Sequence, residues 1–169
     1  LAGIMMGTRS GDIDPSIIEY IAKERNLTVA EVNNELNKKS GLLGISGYSD
    51  CRDVEVAIKE NKEDAILAIK MYNNRIVKYI AEYFLELDGN VDAIVFTAGV
   101  GENGFDVRSA VLNKLSPLGI KLNAEVNDKT ASFRELKEAK ISADDSKVDV
   151  FVIPTDEEIM IVRDAYKFV

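Results

Sequence analysis

The chain has 169 residues, of which 46% are hydrophobic and 30% charged, a composition typical of one globular domain that buries roughly 70% of its unfolded surface. Its net charge of −8 argues against a nucleic-acid partner, which needs a basic surface, and no apolar run approaches the ~18 residues of a membrane-spanning helix. The single cysteine, Cys51, excludes an intramolecular disulfide and favours a reducing, cytoplasmic compartment, while the absence of histidine excludes imidazole chemistry from this chain.

The first candidate site is the loop at residues 7–12, with the sequence GTRSGD. Glycines and hydroxyl residues flank Arg9, so a phosphate could approach its guanidinium closely and accept two parallel hydrogen bonds. A polar turn with a solvated arginine is the alternative, and it is commoner for such loops taken alone. Because the chain opens at Leu1 without an initiator Met and reaches this loop within ten residues, we expect a fragment of a longer protein.

Capping residues and apolar periodicity predict the next elements. Asp14 and Pro15 suit the cap and first residue of one helix, and Thr28 and Glu31 have the spacing of a capping box. The expected segments are a helix at 29–38, an ordered glycine- and serine-rich loop at 40–53, and helices at 53–59 and 62–87.

An apolar, β-favouring run at 93–96 is followed by three glycines spaced G-x-G-x-x-G and by a predicted helix over 106–115. We expect the strand to be buried on both faces, as in a parallel sheet. A strand that leads through a glycine turn to a helix presents backbone N–H groups to an anion or a nucleotide. The glycines concerned are Gly99, Gly101 and Gly104.

The glycine spacing by itself matches a dinucleotide-binding fingerprint, which needs an acidic residue at the end of the next strand, roughly 20 residues on. Glu125 and Asp128 lie near that distance, but the connecting strand would have to be the weak segment at 120–122. The fingerprint also usually opens its domain, whereas this one comes late. We therefore favour a mononucleotide, with a tight turn that merely needs small residues as the alternative.

A second buried-type strand is predicted at 148–153, after which Asp156, Glu157 and Glu158 begin the last helix. The helix dipole favours acidic residues in a first turn, which explains them without any function. The alternative is a carboxylate at the edge of the sheet that holds Mg²⁺ directly or through water. Strands alternating with helices predict an α/β domain with a largely parallel sheet and a ligand site at the carboxyl ends of its strands.

Five segments taken together are more specific than any one of them. They are MGTRSGDIDP (6–15), KSGLLGISG (39–47), SDCRD (49–53), FTAGVGENG (96–104) and VIPTDEE (152–158). In this order and spacing they resemble the carboxy-terminal part of the acetate kinases, within the acetate and sugar kinase/Hsc70/actin superfamily. The resemblance implies a partial actin-like ATPase (ribonuclease H-like) domain of α/β class over residues 1–169, with a mixed, mostly parallel sheet flanked by helices.

The resemblance also implies roles for matching positions. Arg9 would stabilise charge on the phosphoryl group in flight, and Glu157 would be the carboxylate associated with Mg²⁺. Asp156 stands where many relatives have asparagine, which leaves the charge around the metal less certain. The positions that match the adenosine-binding segments are Asp50, Cys51, Arg52, Gly99, Val100, Gly101, Glu102 and Asn103.

The reaction implied by the resemblance is reversible, Mg²⁺-dependent transfer of phosphate from ATP to acetate, giving acetyl phosphate and ADP, in a homodimeric enzyme. The family's catalytic aspartate, active-site histidine, acetate-pocket arginine and outer-phosphate glycine loop precede this region, so we expect this chain alone to be inactive. Propionate and related short-chain acyl kinases share the five segments and are an alternative.

Two interpretations come from other functional classes. One is a free-standing, non-catalytic module for nucleotide binding or dimerisation. The other is an NAD-dependent oxidoreductase domain, judged from the glycine spacing alone. Calorimetric titration with ADP–Mg²⁺ and with NAD separates these from a kinase.

Overall fold

The computed structural model describes residues 2–168 and divides the chain into two compact units, Leu1–Tyr83 and Phe84–Val169. The expectation of one domain over residues 1–169 stays a prediction, and its first and last residues lie outside the described part. Within residues 2–168 no helix is both long and apolar enough to cross a membrane.

The first unit is helical. Its elements are α1 (Ser16–Arg25), α2 (Val29–Lys38), α3 (Gly41–Ser46), α4 (Cys51–Lys59) and most of α5 (Glu63–Glu86). The capping box of α2 is confirmed, because Glu31 N–H donates to Thr28 Oγ1 (3.2 Å) and Thr28 N–H donates to Glu31 Oε2 (2.7 Å). Asp14 accepts a hydrogen bond from Ser16 N–H (2.9 Å), and α1 begins at Ser16, one residue later than predicted.

The segment expected to be an ordered loop contains a short helix, α3. Gly41 turns the chain with a φ of +65°, a conformation that glycine adopts at little cost. The next residue, Leu42, is buried in the core of the first unit against Met5 and Val54. Burial of Leu42 offsets the poor helix propensity of the glycines. The composition of the segment, which predicted a loop, does not show this burial.

The second unit is of the α/β class. Its strands are β1 (Ala93–Phe96), β2 (Ala139–Lys140) and β3 (Asp149–Val152), and its helices are α6 (Ala98–Asn103), α7 (Phe105–Lys114), α8 (Ala124–Lys129) and α9 (Glu157–Tyr166). The sheet has the order β1–β3–β2. β1 pairs with β3 in parallel over four residues and β2 pairs with β3 antiparallel over two, so the predicted mixed, mostly parallel sheet is confirmed.

Two expectations about the strands were wrong. β1 is not buried on both faces, because Ala93 and Val95 on one face are exposed (Val95 to 49%) and Ile94 and Phe96 on the other are half-buried, whereas Val150 and Val152 of β3 are fully buried. The predicted short strand at 120–122 is reduced to a single bridge between Leu122 and Ser142.

Candidate functional site

Two of the predicted site segments follow neighbouring strands in the second unit. β1 leads into α6, which holds residues 99–103, and β3 leads through residues 153–156 into α9, which begins with Glu157. Because β1 and β3 are parallel, both segments leave the sheet at the same edge, where Ile153 N–H donates to the Phe96 carbonyl (3.0 Å). This edge, at the carboxyl ends of the parallel strands, is where ligands bind in open α/β folds.

The predicted glycine turn is the six-residue helix α6, entered through Ala98 with a φ of +56°. A β-carbon on Gly104 would lie 2.7 Å from the Val100 carbonyl oxygen, so the fold itself requires a glycine there. A β-carbon on Gly99 would meet no atom within 4 Å. Gly99 is therefore open to approach, which fits a position where a ligand comes close to the backbone.

The two polar side chains of α6 are hydrogen-bonded within the second unit. Asn103 Oδ1 accepts from the backbone N–H (3.0 Å) and the hydroxyl (2.5 Å) of Ser132, and its Nδ2 donates to the Gly99 carbonyl (3.0 Å). Glu102 Oε1 accepts from the backbone N–H (2.9 Å) and the hydroxyl (3.2 Å) of Thr155. These side chains hold α6 to the segments beside it.

A buried cation, Arg108, supports α6 from the protein interior. Its guanidinium donates to the carbonyls of Gly101 (2.7 Å) and Glu102 (2.8 Å), which are among the helix-terminal carbonyls that lack a partner within α6. On the other side it donates to the Asn127 side-chain oxygen (2.8 Å) and to the Thr130 carbonyl (2.5 Å). Arg108 thus joins α6 to the end of α8.

Burial lowers the pKa of Arg108 to about 10, and the nearby charge of Arg134 adds to this. The side chain therefore stays protonated at neutral pH and keeps all its donors. Sequence reasoning missed this residue. A signal was present, because Arg108 shares one helix face with Val111 and Leu112, both of which are buried, and a charge on an apolar face indicates a buried polar network.

Glu157 is the first residue of α9, next to Asp156, whose Oδ1 accepts from Ile159 N–H (2.8 Å). Asp156 is therefore the helix cap, whereas the Glu157 side chain is exposed and makes no hydrogen bond or ion pair with residues 2–168. No group of three or more potential metal ligands exists in the same range. One unpaired carboxylate fits Mg²⁺, which commonly takes one or two carboxylates together with water and substrate phosphates.

The loop that carries Arg9 lies in the first unit and is fixed by its backbone. Ser40 N–H donates to the Thr8 carbonyl (2.9 Å), and Leu43 N–H donates to the Gly7 carbonyl (2.8 Å). Backbone N–H groups at the start of α3 therefore donate their hydrogen bonds to this loop. The Arg9 side chain is exposed and forms no hydrogen bond or ion pair with any other residue in the described range, so its guanidinium is free to meet an anion.

Asp12 ties the same loop to α5. Its carboxylate accepts from Gly3 N–H (2.7 Å) and from the Tyr79 hydroxyl, and Arg75 donates to its backbone carbonyl (3.0 Å). The hydrogen bonds from Tyr79 and Gly3 lower the pKa of Asp12. Asp12 is therefore a structural residue of the loop, with its carboxylate already occupied.

The segment at 50–52 begins α4. Asp50 is the helix cap, accepting from the Arg52 backbone N–H (2.8 Å) and from the Arg52 guanidinium (2.6 Å), and these hydrogen bonds lower the pKa of Asp50 to about 2. Cys51 is half-buried against the core, and burial raises the pKa of its thiol. Cys51 is therefore a packed thiol and not an activated nucleophile.

The predicted residues fall into two groups, one in each unit. Arg9 and residues 50–52 belong to the first unit, where the loop of Arg9 is held by α3. Residues 99–103 and Glu157 belong to the second unit, where the Glu102–Thr155 hydrogen bonds bring their segments together.

Comparison with known proteins extends along almost the whole chain. A sequence model of the Acetokinase family matches residues 1–163. The chain is 48% identical to the acetate kinase of Halothermothrix orenii over 170 aligned residues, which are 100% of this chain and 41% of that protein. The chain therefore spans about two fifths of the length of the curated relatives it matches.

Solved structures agree with the sequence match. The crystal structure of Porphyromonas gingivalis acetate kinase superposes with a TM-score of 0.90 at 44% identity, over 98% of this chain and 41% of that one. A propionate kinase from Francisella tularensis superposes with a TM-score of 0.85 at 40% identity, over 95% of this chain and 39% of that one. The chain belongs to the acetokinase family.

Proposed function

We propose that the full-length protein is an acetate kinase, which transfers a phosphoryl group reversibly from ATP to acetate to give acetyl phosphate and ADP. The observation that carries this proposal is the similarity to proteins named acetate kinase along the entire chain, at 48% identity to the Halothermothrix orenii protein. The proposal extends beyond this chain, since the relatives are more than twice as long.

Arg9 is the residue that we propose to act on the reacting phosphate. A guanidinium that has no partner in the described range, on a loop fixed by its backbone, can donate two parallel hydrogen bonds to phosphoryl oxygens. Phosphoryl transfer depends mainly on positioning and on neutralising charge. Arg9 would therefore stabilise the transition state while the rigid loop keeps the guanidinium in place.

Residues 50–52 and the backbone of residues 99–103 are proposed as contacts of the nucleotide, with its adenosine end close to the open position at Gly99. Glu157, with its unpaired carboxylate, would hold Mg²⁺ directly or through a bound water. When bound, Mg²⁺ neutralises charge on the phosphates during transfer.

The remaining catalytic groups would come from the three fifths of the protein that this chain does not include. The chain has no histidine, whereas the family resemblance implies one in the active site. We therefore propose that this polypeptide alone is inactive, and that the whole enzyme is a cytoplasmic homodimer.

Propionate is the second candidate acceptor, favoured by the TM-score of 0.85 to a propionate kinase. Steady-state assays of the full-length protein with acetate and with propionate compare the two acceptors directly. We expect a higher kcat/KM for acetate with ATP and Mg²⁺. Absence of phosphoryl transfer to either acid, or tighter calorimetric binding of NAD than of ADP–Mg²⁺, would contradict a kinase and leave a non-catalytic module or an oxidoreductase domain.

A further inference from the structure

The carboxylate of Glu102 connects the two segments that leave the sheet at the carboxyl ends of β1 and β3. Its Oε1 accepts both the backbone N–H (2.9 Å) and the hydroxyl (3.2 Å) of Thr155. Thr155 precedes the helix cap Asp156, and Glu157 follows as the first residue of α9. Glu102 and Thr155 are 53 positions apart in the sequence, so this connection arises from tertiary structure and not from local geometry.

Glu102 is itself held firmly. Its backbone carbonyl accepts a hydrogen bond from the buried Arg108 (2.8 Å), and so does the carbonyl of Gly101 (2.7 Å). Arg108 is completely buried and also bonded to Asn127. The carboxylate of Glu102 therefore extends from a backbone that Arg108 anchors, and its Oε1 lies within hydrogen-bond distance of Thr155.

The segment that donates these hydrogen bonds has little other support. Residues 153–158 are exposed, and within the described range Thr155 makes its side-chain hydrogen bond to Glu102. The backbone N–H of Ile153 still belongs to the sheet, through its bond to Phe96 (3.0 Å). Between that bond and the cap of α9, Glu102 is the side chain that fixes the path of the chain.

We propose that Glu102 is a positioning residue, whose side-chain carboxylate orients the metal-binding carboxylate of Glu157 by fixing Thr155 and contacts neither nucleotide nor metal. The inference rests on the proposed function, because it takes Glu157 as the Mg²⁺ ligand. It changes the role of Glu102, whose match to the adenosine segment implies direct contact with the nucleotide. Residues that orient a metal ligand typically change metal affinity about 10- to 100-fold when they are lost.

The role needs an acceptor atom and not a charge. Glutamine at position 102 keeps an oxygen that can accept both bonds from Thr155, whereas alanine removes it. If Glu102 instead bound Mg²⁺ or repelled phosphate through its charge, glutamine and alanine would behave alike. The pair Glu102→Gln and Glu102→Ala therefore separates positioning from direct electrostatic contact.

The experiment uses the full-length enzyme with these two variants and with Glu125→Ala as the matched control, because Glu125 lies on the surface of the same unit and pairs with Lys129 (2.8 Å). Two quantities are measured. One is hydrogen–deuterium exchange at the Thr155 amide in metal-free protein, and the other is the Mg²⁺ concentration that gives half-maximal rate.

We expect Glu102→Ala to lose protection at the Thr155 amide and to need about 10-fold more Mg²⁺, while Glu102→Gln and Glu125→Ala match the parent in both measurements. Equal Mg²⁺ requirements in Glu102→Ala and the parent, or equal defects in Glu102→Gln and Glu102→Ala, would overturn the inference. Should Glu102→Ala fail to fold, Glu102→Asp, whose carboxylate is one methylene shorter and therefore lies further from Thr155, replaces it.

The exchange measurement distinguishes this inference from the proposed function. A parent enzyme without kinase activity would contradict the proposed function, yet the protection of the Thr155 amide would still report whether Glu102 fixes that segment. If the parent enzyme is active but the Thr155 amide exchanges equally fast in the parent and in Glu102→Ala, the result would contradict this inference and leave the proposed function standing.

Discussion

Gly41 lies so close to the backbone of Arg9 that a β-carbon on Gly41 would sit 2.7 Å from the Arg9 carbonyl oxygen. The same β-carbon would sit 2.0 Å from the carbonyl oxygen of Met6. The chain can therefore pass through position 41 only as glycine, and the loop of Arg9 takes its shape from a helix more than thirty residues further along the sequence.

Gly41→Ala should lower the free energy of unfolding of the full-length protein by about 2–4 kcal/mol, because a positive φ costs about 1–2 kcal/mol and the clash adds to it. Gly47→Ala is the matched control, since Gly47 also has a positive φ (+81°) but meets no atom within 4 Å. Urea unfolding of both variants measures the difference. Equal losses would show that the close contacts of position 41 with the carbonyls of Met6 and Arg9 contribute nothing.

Arg9→Ala should reduce kcat by roughly 10³-fold, the lower end of the effect of arginines that stabilise phosphoryl transfer, with little change in stability because the side chain is exposed. Arg25→Ala, which removes a surface ion pair with Glu35 in the same unit, should leave kcat unchanged. Steady-state kinetics at saturating ATP and acetate test both. Turnover of Arg9→Ala within about threefold of the parent would exclude a role in charge stabilisation.

Glu157→Ala should raise the Mg²⁺ concentration needed for half-maximal rate by at least about 10-fold, because a direct or water-mediated carboxylate is removed. Glu158→Ala is its control, since both glutamates lie in the first turn of α9 and interact similarly with the helix dipole. Titration of activity with Mg²⁺ compares them. If the two variants need similar Mg²⁺ concentrations, Glu157 has only a structural role at the start of α9.

Arg108→Met should lower the free energy of unfolding by about 3–5 kcal/mol, since the buried carbonyls of Asn127 and Thr130 would lose the donor that Arg108 supplies. Arg163→Met, on the exposed α9, should change it by no more than about 0.5 kcal/mol. Chemical denaturation measures both, and hydrogen exchange at residues 98–104 should accelerate in the first variant. A fully stable Arg108→Met protein would mean that water replaces the guanidinium.

The Asp50–Arg52 interaction predicts a defined acid dependence of stability. The pKa of Asp50 is lowered from 3.8 to about 2 in the folded protein, so the folded state favours the ionised carboxylate. The stabilisation is complete above about pH 4 and is lost as the pH falls through 2. Asp50→Asn keeps an oxygen for the Arg52 N–H but loses the charge, so its thermal midpoint should lie below that of the parent at pH 5 and converge with it below about pH 2.

Local signals in the sequence predicted a large part of the fold. The capping box of Thr28 and Glu31 and the apolar runs at 93–96 and 148–153 each correspond to an observed element. These signals depend on neighbours a few residues away, which the sequence displays directly. The predicted helix at 29–38 even has the observed bounds.

What the sequence could not reveal depends on distant partners. The glycine-rich segment is helical because Leu42 is buried in a core that residues distant in the sequence form. The acceptors of Arg108 are up to 22 positions away, and Thr155 becomes the partner of Glu102 only once β1 and β3 pair. The candidate ligand residues were predicted from resemblance, whereas the residues that hold them in place emerge only from the tertiary structure.

The parallel pairing of β1 with β3 also bears on how the protein folds. The strands are separated by a long stretch of chain, and closing such a loop costs conformational entropy before any strand contact is gained. We therefore expect this pairing to form late, after the local helices. The segments that we propose to bind the nucleotide (99–103) and Mg²⁺ (at Glu157) would then become adjacent in the same kinetic step, so we expect these two proposed binding segments to be completed together and not one after the other.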